Sequence, residues 1–289
     1  MAFKDECGVF GVWPELEASR QTYLGLYALQ HRGQEAAGIC SRAEGKLFLH
    51  KGLGHVAEIF TETILDQLPG DGAIGHTRYS TTGGNVASAA HPFLVQGRFG
   101  QLALCHNGNL TNTEQLRSQL IQSGQVFSSP SDSEVILALI NRASASNLED
   151  ALLEALAQVQ GAYSILILTE TQFLAVRDPY GFRPLALGRL GGATVFSSET
   201  CAFDLLGAEY VREVAPGEVV ILDRDGLRSR FPHPQVRPKP CVFEHVYFSR
   251  PDSLVYGQSV MGTRREMGRL LARRHRVEAD LVVPVPDSG

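Results

Sequence analysis

The sequence predicts an α+β protein in which helices pack outside antiparallel sheets. The chain has 289 residues, of which 44% are hydrophobic, so it can bury the core of one large domain or two ordinary ones. Short runs rich in Val, Ile and Phe, bounded by Gly, Pro or Asp, are typical of β-strands. A group of helices separates an early set of these runs from a later one. This order favours antiparallel sheets over the strict alternation of a parallel sheet.

The predicted strands begin near the amino terminus with the run CGVFGVW. Along the chain they cover residues 8–13, 35–40, 46–50, 72–76, 101–106, 163–169, 173–177, 194–197 and 218–222. The predicted helices cover residues 21–30, 112–121, 132–142, 148–160 and 261–276. Two of the helices are preceded by S/T-x-x-E capping boxes, Thr111 with Glu114 and Ser131 with Glu134.

Four prolines punctuate residues 231–240, and proline continues neither a strand ladder nor a helix. We interpret this stretch as a linker. The arginine-rich helix that follows is interpreted as a solvated face. The final LVVPVPDSG reads as a strand running into a turn, and a strand needs neighbours to pair with. This end is therefore predicted to begin a further domain.

Composition excludes several classes of protein. The formal net charge of −5 and the lack of a dominant basic run argue against nucleic acid as a partner. The apolar stretches are too short to cross a bilayer, and the opening MAFKDE lacks the apolar core of a secretory signal. We expect a cytoplasmic protein that binds neither nucleic acid nor membrane.

The five cysteines are odd in number and irregularly spaced, which predicts neither a disulfide framework nor a zinc site; they are Cys7, Cys40, Cys105, Cys201 and Cys241. Cys40 and Cys105 lie inside apolar runs and are interpreted as buried thiols.

Cys7 lies close enough to the chain start to become an amino terminus if residues 1–6 are removed. A free α-amine has a pKa of roughly 7.7–8.0, against about 8.5 for a thiol, so it can accept the thiol proton. One residue would then supply both nucleophile and base. The alternative is that Cys7 is simply a small buried residue.

Three further motifs contain side chains that suit an amino acid substrate. In HNGNL, Asn107 and Gly108 can form an oxyanion hole, although Asn-Gly also marks turns. In GHTRYSTTGG, Arg78 can bind a carboxylate in bidentate geometry, or be an ordinary surface arginine. Asp132 can accept hydrogen bonds from an ammonium group, although an acid there also suits the start of a helix. Together with Cys7, this set fits attack on the side-chain amide of glutamine, which gives a thioester and ammonia. A Cys/His pair remains open, but no local motif supports it.

The order and separation of CGVFGVW, LQHRGQEAAG, GHTRYSTTG, HNGNL and SDSE resemble the class II glutamine amidotransferases. These are N-terminal-nucleophile hydrolases with a four-layer αββα fold. The motifs VRDPYGFRPL, SSETCAFD and CVFEHVYFSRPDS resemble the members that serve a phosphoribosyltransferase domain rather than a sugar isomerase. The resemblance covers essentially the whole chain from Cys7.

The resemblance implies a role for each matching residue. It implies Cys7 as nucleophile, Asn107 and Gly108 as oxyanion hole, Arg78 and Asp132 as glutamine-binding residues, and Arg32 as a supporting residue of the glutamine site. Residues 1–6 resemble a propeptide, in which Glu6 precedes the cut. Residues 7–231 would form the glutaminase domain, and residues 232–289 the linker and the start of an α/β phosphoribosyltransferase domain.

In such members, ammonia travels by a shielded route to phosphoribosyl pyrophosphate and converts it to 5-phosphoribosylamine, in the first committed step of purine synthesis. The acidic, glycine-rich motif for the ribose phosphate is absent before Gly289. We therefore expect a fragment or truncated gene model that hydrolyses glutamine only.

The resemblance also implies cofactors and partners for the longer protein. They are a [4Fe–4S] cluster with Cys241 in the place of its first ligand, Mg²⁺ at the phosphoribosyltransferase site, and a homo-oligomer. Two alternatives stay open, namely an amidotransferase serving another acceptor, such as a sugar phosphate, and a non-catalytic module of the same fold.

Overall fold

A computed structural model of the chain describes residues 7–79, 87–234 and 236–285. Its strands, numbered in chain order, are β1 (Gly8–Trp13), β2 (Ala36–Ala43), β3 (Lys46–Leu53), β4 (Gly72–Arg78), β5 (Phe93–Gly97), β6 (Gly100–Leu110), β7 (Gly161–Thr169), β8 (Phe173–Arg177), β9 (Ala186–Leu190), β10 (Ala193–Ser197), β11 (Glu209–Glu213), β12 (Val219–Asp223), β13 (Gly226–Arg230), β14 (Leu254–Val255) and β15 (Gln258–Ser259). Its helices are α1 (Ala18–Ala28), α2 (Val56–Ile59), α3 (Glu62–Leu65), α4 (Thr113–Gln122), α5 (Asp132–Arg142), α6 (Leu148–Leu156), α7 (Cys201–Leu206) and α8 (Val260–Arg274). Short 3₁₀ helices cover Gln30–Arg32 and Ala87–Ala89, and a π-helical turn covers Glu244–Phe248.

Two large sheets form the centre of the molecule. The first has seven strands in the order β11-β9-β10-β1-β4-β2-β3, and the second has six in the order β13-β12-β8-β7-β6-β5. Every neighbouring pair in both sheets is antiparallel. The prediction of antiparallel sheets, made from the order of strands and helices, is confirmed.

Three separate apolar cores show that the molecule has four layers. In β1, Val9 belongs to the core between the two sheets, whereas Phe10 belongs to the core beneath α1 and α7. In β6, Ala103 faces the same middle core, whereas Leu104 faces the core beneath α4, α5 and α6. Successive side chains of a strand point to opposite faces, so both sheets are covered on both sides. This is the αββα arrangement that the resemblance implies.

The nine strands predicted between residues 8 and 222 are all present, although several bounds differ by a few residues. The strand predicted at LVVPVPDSG is wrong for its described part, because residues 281–285 are exposed and pair with no described strand. The sequence did not reveal β5, β9, β11, β13, β14 or β15, nor the short helices α2, α3 and α7. The capping box predicted at Thr111 is wrong, because α4 begins at Thr113 and the Thr111 hydroxyl donates to the carbonyl of Gln160 instead. The box predicted at Ser131 is half correct. Its hydroxyl accepts from the Ser133 N–H, but Glu134 accepts from the N–H groups of residues 128 and 129.

After the proline-rich stretch the chain returns to pack against the two-sheet part of the molecule, near Phe182. The described part of residues 231–240 has no helix or strand, as the linker prediction requires. The Cys241 N–H then donates to the carbonyl of Phe182 at 3.2 Å, and the Tyr256 hydroxyl donates to the same carbonyl at 2.7 Å. This docking was not predicted. The boundary between glutaminase and phosphoribosyltransferase domains stays a prediction. Among the described helices, none is long and apolar enough to cross a membrane.

Candidate active site

A cavity of about 910 Å³ opens where β1 and β4 of one sheet meet β6 of the other. The antiparallel register pairs Gly8 with Thr77, which brings Cys7 beside Arg78. Both residues line the cavity, and so do Gly108 at the end of β6 and Asp132 at the start of α5. Residues far apart in the sequence are therefore brought together by the register of the strands and by the position of the first residue of α5.

Cys7 presents a partly buried thiol, whose Sγ lies 3.6 Å from the carbonyl oxygen of Tyr79. Burial raises the pKa of this thiol above its ordinary value, because a thiolate loses its hydration there. Three nearby guanidinium groups oppose the effect of burial without cancelling it, and they belong to Arg78, Arg183 and Arg32. The thiol is therefore protonated at neutral pH and needs a base before it can attack.

Arg78 is the last residue of β4 and is 5% exposed. Gly33 explains how the chain comes so close to it. A Cβ added at Gly33 would lie 2.5 Å from the backbone nitrogen of Arg78. The φ of Gly33 is −163°, so it is this close approach, and not backbone strain, that requires glycine. In the motif LQHRGQEAAG, the glycine therefore fits against the strand that carries Arg78.

Arg32, one residue earlier, lies behind Cys7 and is fully buried. Its Nε donates to the Cys7 carbonyl at 2.8 Å. Its terminal nitrogens donate to Glu199 at 2.6 Å and to Glu244 at 2.8 and 2.9 Å. Arg32 does not line the cavity. Its contacts are those of a residue that supports Cys7, in line with the supporting role that the resemblance implies, and a direct contact with glutamine stays a prediction.

Gly108 has a φ of +152°, a backbone conformation that residues other than glycine rarely adopt. A Cβ at this position would also collide with the carbonyl oxygen of Ala162 on β7. Asn107 is 1% exposed, and its amide nitrogen lies 3.4 Å from the hydroxyl of Ser198. The same hydroxyl accepts from the Val9 N–H at 3.0 Å, so Ser198 connects Asn107 to the strand that follows Cys7. Nothing in the sequence pointed to Ser198 beyond its place in SSETCAFD.

Asp132 is held by several groups at the rim of the cavity. One carboxylate oxygen accepts from the Leu110 N–H at 3.0 Å, and the other lies 3.4 Å from Nδ1 of His106. Burial acts to raise the pKa of Asp132, but His106 and the hydrogen bonds outweigh it and lower the pKa. Asp132 is therefore a carboxylate at neutral pH, as binding of an ammonium group requires.

A pair of buried histidines lies beneath Asp132, and sequence reasoning missed both. The rings of His76 and His91 have centroids 4.4 Å apart, and Nε2 of His91 lies 2.7 Å from the Ser133 hydroxyl. Burial lowers the pKa of His76 to about 3 and that of His91 well below its ordinary value. Both rings are neutral at neutral pH, so they add no positive charge beside the carboxylate.

Three of the remaining cysteines are buried, as expected for Cys40 and Cys105. Burial raises the pKa of Cys40 and of Cys201 to about 12, and it raises that of Cys105 well above its ordinary value. Cys241 is partly exposed. Across the described ranges, no group of three or more His, Cys, Asp or Glu side chains is arranged to hold a metal ion. A [4Fe–4S] cluster needs four ligands, so the assignment of Cys241 to one stays a prediction.

The structure brings Cys7, Arg78, Gly108 and Asp132 to one cavity and places Asn107 and Arg32 beside it. Three parts of the sequence prediction lie outside the described residues. They are the propeptide, residues 1–6, the second half of GHTRYSTTGG, from residue 80 onward, and the turn predicted at the end of LVVPVPDSG, residues 286–289.

Comparison with known proteins assigns the region that contains most of these residues. The model of a glutamine amidotransferase domain matches residues 76–204. That range includes Arg78, Asn107, Gly108 and Asp132, and it begins after Cys7 and Arg32.

Related proteins match the chain over nearly its whole length. Amidophosphoribosyltransferase 1, chloroplastic, from Arabidopsis thaliana is 50% identical over 99% of this chain and 51% of its own length. Amidophosphoribosyltransferase from Bacillus subtilis (strain 168) is 46% identical over 99% of this chain and 60% of its own length. The chain therefore spans between half and three fifths of the length of these two relatives.

Solved structures agree with this assignment. The glutamine phosphoribosylpyrophosphate amidotransferase from B. subtilis, solved in complex with ADP and GMP, superposes with a TM-score of 0.94 at 46% identity, over 98% of this chain and 61% of that one. A structure described as the allosteric regulatory enzyme of purine biosynthesis superposes with a TM-score of 0.95, also at 46% identity and with the same coverage. Over nearly its whole length the chain is therefore similar to amidophosphoribosyltransferases, and residues 76–204 match a glutamine amidotransferase domain.

Proposed function

We propose that this chain hydrolyses glutamine, with Cys7 as the nucleophile and its own α-amine as the base. The observation that carries the proposal is the single cavity that joins the Cys7 thiol to a guanidinium, a carboxylate and a glycine with positive φ, namely Arg78, Asp132 and Gly108. Its volume of about 910 Å³ is ample for one amino acid. Arg78 would bind the α-carboxylate in bidentate geometry, and Asp132 would bind the α-ammonium group.

The first chemical step forms a bond between Sγ of Cys7 and the amide carbon of glutamine. Because the thiol is protonated, its proton passes to the α-amine, which becomes free only when residues 1–6 are removed. The negative charge that develops on the amide oxygen would be stabilised by the Gly108 N–H and the Asn107 side-chain amide. Rotation of the Asn107 amide away from Ser198 would make its N–H available, since that contact is long at 3.4 Å.

Collapse of the tetrahedral intermediate breaks the carbon–nitrogen bond. The α-ammonium group returns its proton to the leaving nitrogen, which departs as ammonia and leaves a thioester on Cys7. Water, deprotonated by the same α-amine, then attacks the thioester carbon, and the bond to Sγ breaks to release glutamate. The Cys7 sulfur takes the proton back from the α-ammonium group, which restores thiol and free amine. Atoms and charges balance over the cycle, which consumes one water per glutamine.

For the longer protein we propose that the ammonia displaces pyrophosphate from phosphoribosyl pyrophosphate and gives 5-phosphoribosylamine. The family name of the relatives and the share of their length that this chain spans support that proposal. An iron–sulfur cluster, Mg²⁺ and a homo-oligomer remain part of it for the longer protein.

Two measurements on the purified chain test the proposed function. Intact mass should show loss of residues 1–6, and the processed chain should release ammonia from glutamine. Cys7→Ser should reduce ammonia release at least a thousandfold while circular dichroism stays unchanged, because the nucleophile is lost but its size is nearly kept (~10³ or more for an essential nucleophile). Cys241→Ser, which changes another partly exposed thiol, is the matched control and should keep full activity. An active chain that still begins at Met1 would refute the use of the α-amine.

A further inference from the structure

We propose that Glu244 and Glu199 position Cys7 through Arg32, so that the chain beyond the proline-rich stretch completes the glutaminase site. This inference rests on the proposed function of Cys7. Glu244 lies 212 residues from Arg32 and beyond the linker predicted from the sequence. It belongs to no motif to which a role in glutamine hydrolysis was given.

Residues 241–260, here called the docked segment, are connected to Cys7 by a continuous chain of hydrogen bonds. The Arg32 guanidinium donates to both carboxylate oxygens of Glu244, at 2.8 and 2.9 Å, and to Glu199 at 2.6 Å. Its remaining nitrogen, Nε, donates to the Cys7 carbonyl at 2.8 Å. A bidentate pair of this kind fixes the plane of a guanidinium, which leaves Nε a single direction.

Burial makes the arrangement sensitive to any missing partner. The side chains of Arg32, Glu199 and Glu244 are each 0% exposed. Two carboxylates face one fully buried guanidinium, and Arg183 adds positive charge 3.4 Å from Glu244. An uncompensated charge in such a place is costly, so loss of one carboxylate must shift the others.

The two carboxylates are themselves held by the segment that follows the linker. The Ser249 hydroxyl donates to Glu244 at 2.7 Å. The Arg250 N–H and the Ser253 hydroxyl each donate to Glu199 at 2.8 Å. The docked segment therefore orients both partners of Arg32. It contains Glu244 itself, and it donates two hydrogen bonds to Glu199.

The Cys7 carbonyl is an effective place to hold the nucleophile. A freed amino terminus frays unless it is tied down, and strand pairing begins only at Gly8. The carbonyl carbon, the α-amine and the side chain that carries the thiol are all bonded to the same Cα. A hydrogen bond to the carbonyl therefore restrains the atom from which both reacting groups extend. We assign Arg32, Glu199 and Glu244 as positioning residues.

Steady-state kinetics of Glu244→Gln provides the first test. The substitution keeps the size of the side chain but removes its charge and one of its two acceptor oxygens. We expect kcat for ammonia release to fall on the order of 100-fold, since small misplacements of a reacting group have effects of that size. The KM for glutamine should change less than threefold, a bound taken as roughly the noise of such comparisons, because no cavity-lining residue is altered.

Glu218→Gln is the matched control. Glu218 is 2% exposed, and one of its carboxylate oxygens lies 2.7 Å from a guanidinium nitrogen of Arg212. It belongs to a different ion pair from the one formed by Arg32, Glu199 and Glu244. The substitution Glu218→Gln removes the charge of a similarly buried carboxylate that pairs with a different arginine, Arg212. It should leave kcat unchanged. Ser249→Ala, which deletes only one hydrogen bond to Glu244, provides a milder test should Glu244→Gln fail to fold.

Alkylation of Cys7 by iodoacetamide in a Cys241→Ser background, which removes the other partly exposed thiol, followed by intact mass against pH, separates this inference from the proposed function. We expect Glu244→Gln and Ser249→Ala to change the rate or the pH profile of alkylation, whereas Glu218→Gln does not. If the wild-type chain releases no ammonia but this difference persists, the proposed function fails and the positioning role stands. If Glu244→Gln, or Ser249→Ala in its place, matches Glu218→Gln in both kcat and alkylation, the positioning role is overturned.

Discussion

Asp132 shows how a single residue is prepared for binding before any ligand arrives. One of its oxygens is occupied by the Leu110 N–H, and the other lies beside His106. These contacts keep the pKa of Asp132 below its ordinary value despite burial, which acts to raise it. The side chain is 16% exposed at the cavity, so its charge remains accessible. A negative charge that is both fixed and accessible suits a small cation such as the ammonium group of an amino acid.

Asp132→Asn should therefore weaken glutamine binding more than it slows the reaction. An asparagine can still accept from Leu110, but it provides no charge for the ammonium group. Hydrogen bonds to charged groups contribute about 1.5–3 kcal/mol, so KM should rise roughly 10- to 100-fold while kcat changes little. Steady-state ammonia release measures both constants. Asp150→Asn, an exposed change at the start of α6, serves as the control. A fall in kcat at constant KM would argue against this role.

At the scale of elements, the 3₁₀ helix Gln30–Arg32 and the residue after it connect two parts of the site. Arg32 reaches the Cys7 carbonyl, and Gly33 rests against the backbone of Arg78. One short turn therefore sets the distance between Cys7 and Arg78. The motif QHRGQ has a physical explanation in these two contacts.

Gly33→Ala should displace Arg78 because its new Cβ would lie 2.5 Å from the Arg78 backbone nitrogen. Overpacking of this kind typically lowers the free energy of unfolding by about 1–3 kcal/mol. We expect that loss together with a higher KM for glutamine, measured by urea unfolding and by ammonia release. Gly192→Ala places a Cβ in open space, at a position without positive φ, and should change neither quantity. Equal behaviour of the two variants would show that the strand accommodates the methyl group.

The elements that sequence reasoning found are those with strong local signals. Helix α5 has the predicted bounds, because Ser131 caps its start and a buried stripe runs along it. Some of the elements it missed carry little apolar patterning. The edge strands β11 and β13, EYVRE and GLRSR, are largely polar because they have a neighbour on one side only. Helix α6 ends at Leu156, short of the predicted residue 160, where the chain turns toward β7.

The candidate site divides in the same way. Cys7, Arg78, Gly108 and Asp132 stand in motifs, and the cavity joins all four. Glu199, Glu244 and Ser198 act through contacts between distant segments, such as the 167 residues between Arg32 and Glu199. No local pattern contains such a contact, since it depends on how strands and the docked segment are arranged in space.

At the scale of the whole molecule, buried ion pairs connect segments that are distant in the sequence. The main example is Arg32, which pairs with Glu199 and Glu244. Burial acts to raise the pKa of Glu199, but Arg32 and His31 outweigh it and lower the pKa to about 2 from an ordinary 4.5. Burial acts on Glu244 in the same way, and there too Arg32 prevails and lowers the pKa. Both groups are charged in the folded chain down to unusually acidic pH.

Stability should therefore decline as the pH falls below about 4.5. A carboxylate with a lowered pKa stabilises the fold fully above its unfolded pKa, here 4.5, and this contribution disappears as the pH falls toward about 2. For Glu199 alone the loss is on the order of 3 kcal/mol. Urea unfolding between pH 7 and pH 3 measures it. Glu199→Gln should be less stable at pH 7 and flatter with pH than wild type, whereas Asp66→Asn, an exposed change, should follow wild type. Parallel curves for Glu199→Gln and wild type would contradict the assignment.

The return of the chain after the prolines has a consequence for how such proteins can be divided. Because Glu244 comes from beyond the linker and meets Arg32 in the interior, a catalytic unit cut at the prolines would leave that guanidinium without one of its two carboxylates. A shortened chain would have to keep at least residues 241–260 to preserve the contacts to Arg32 and Glu199. The proline-rich stretch is a visible seam in the sequence, but the residues that hold Arg32 and Glu199 from this side lie beyond it.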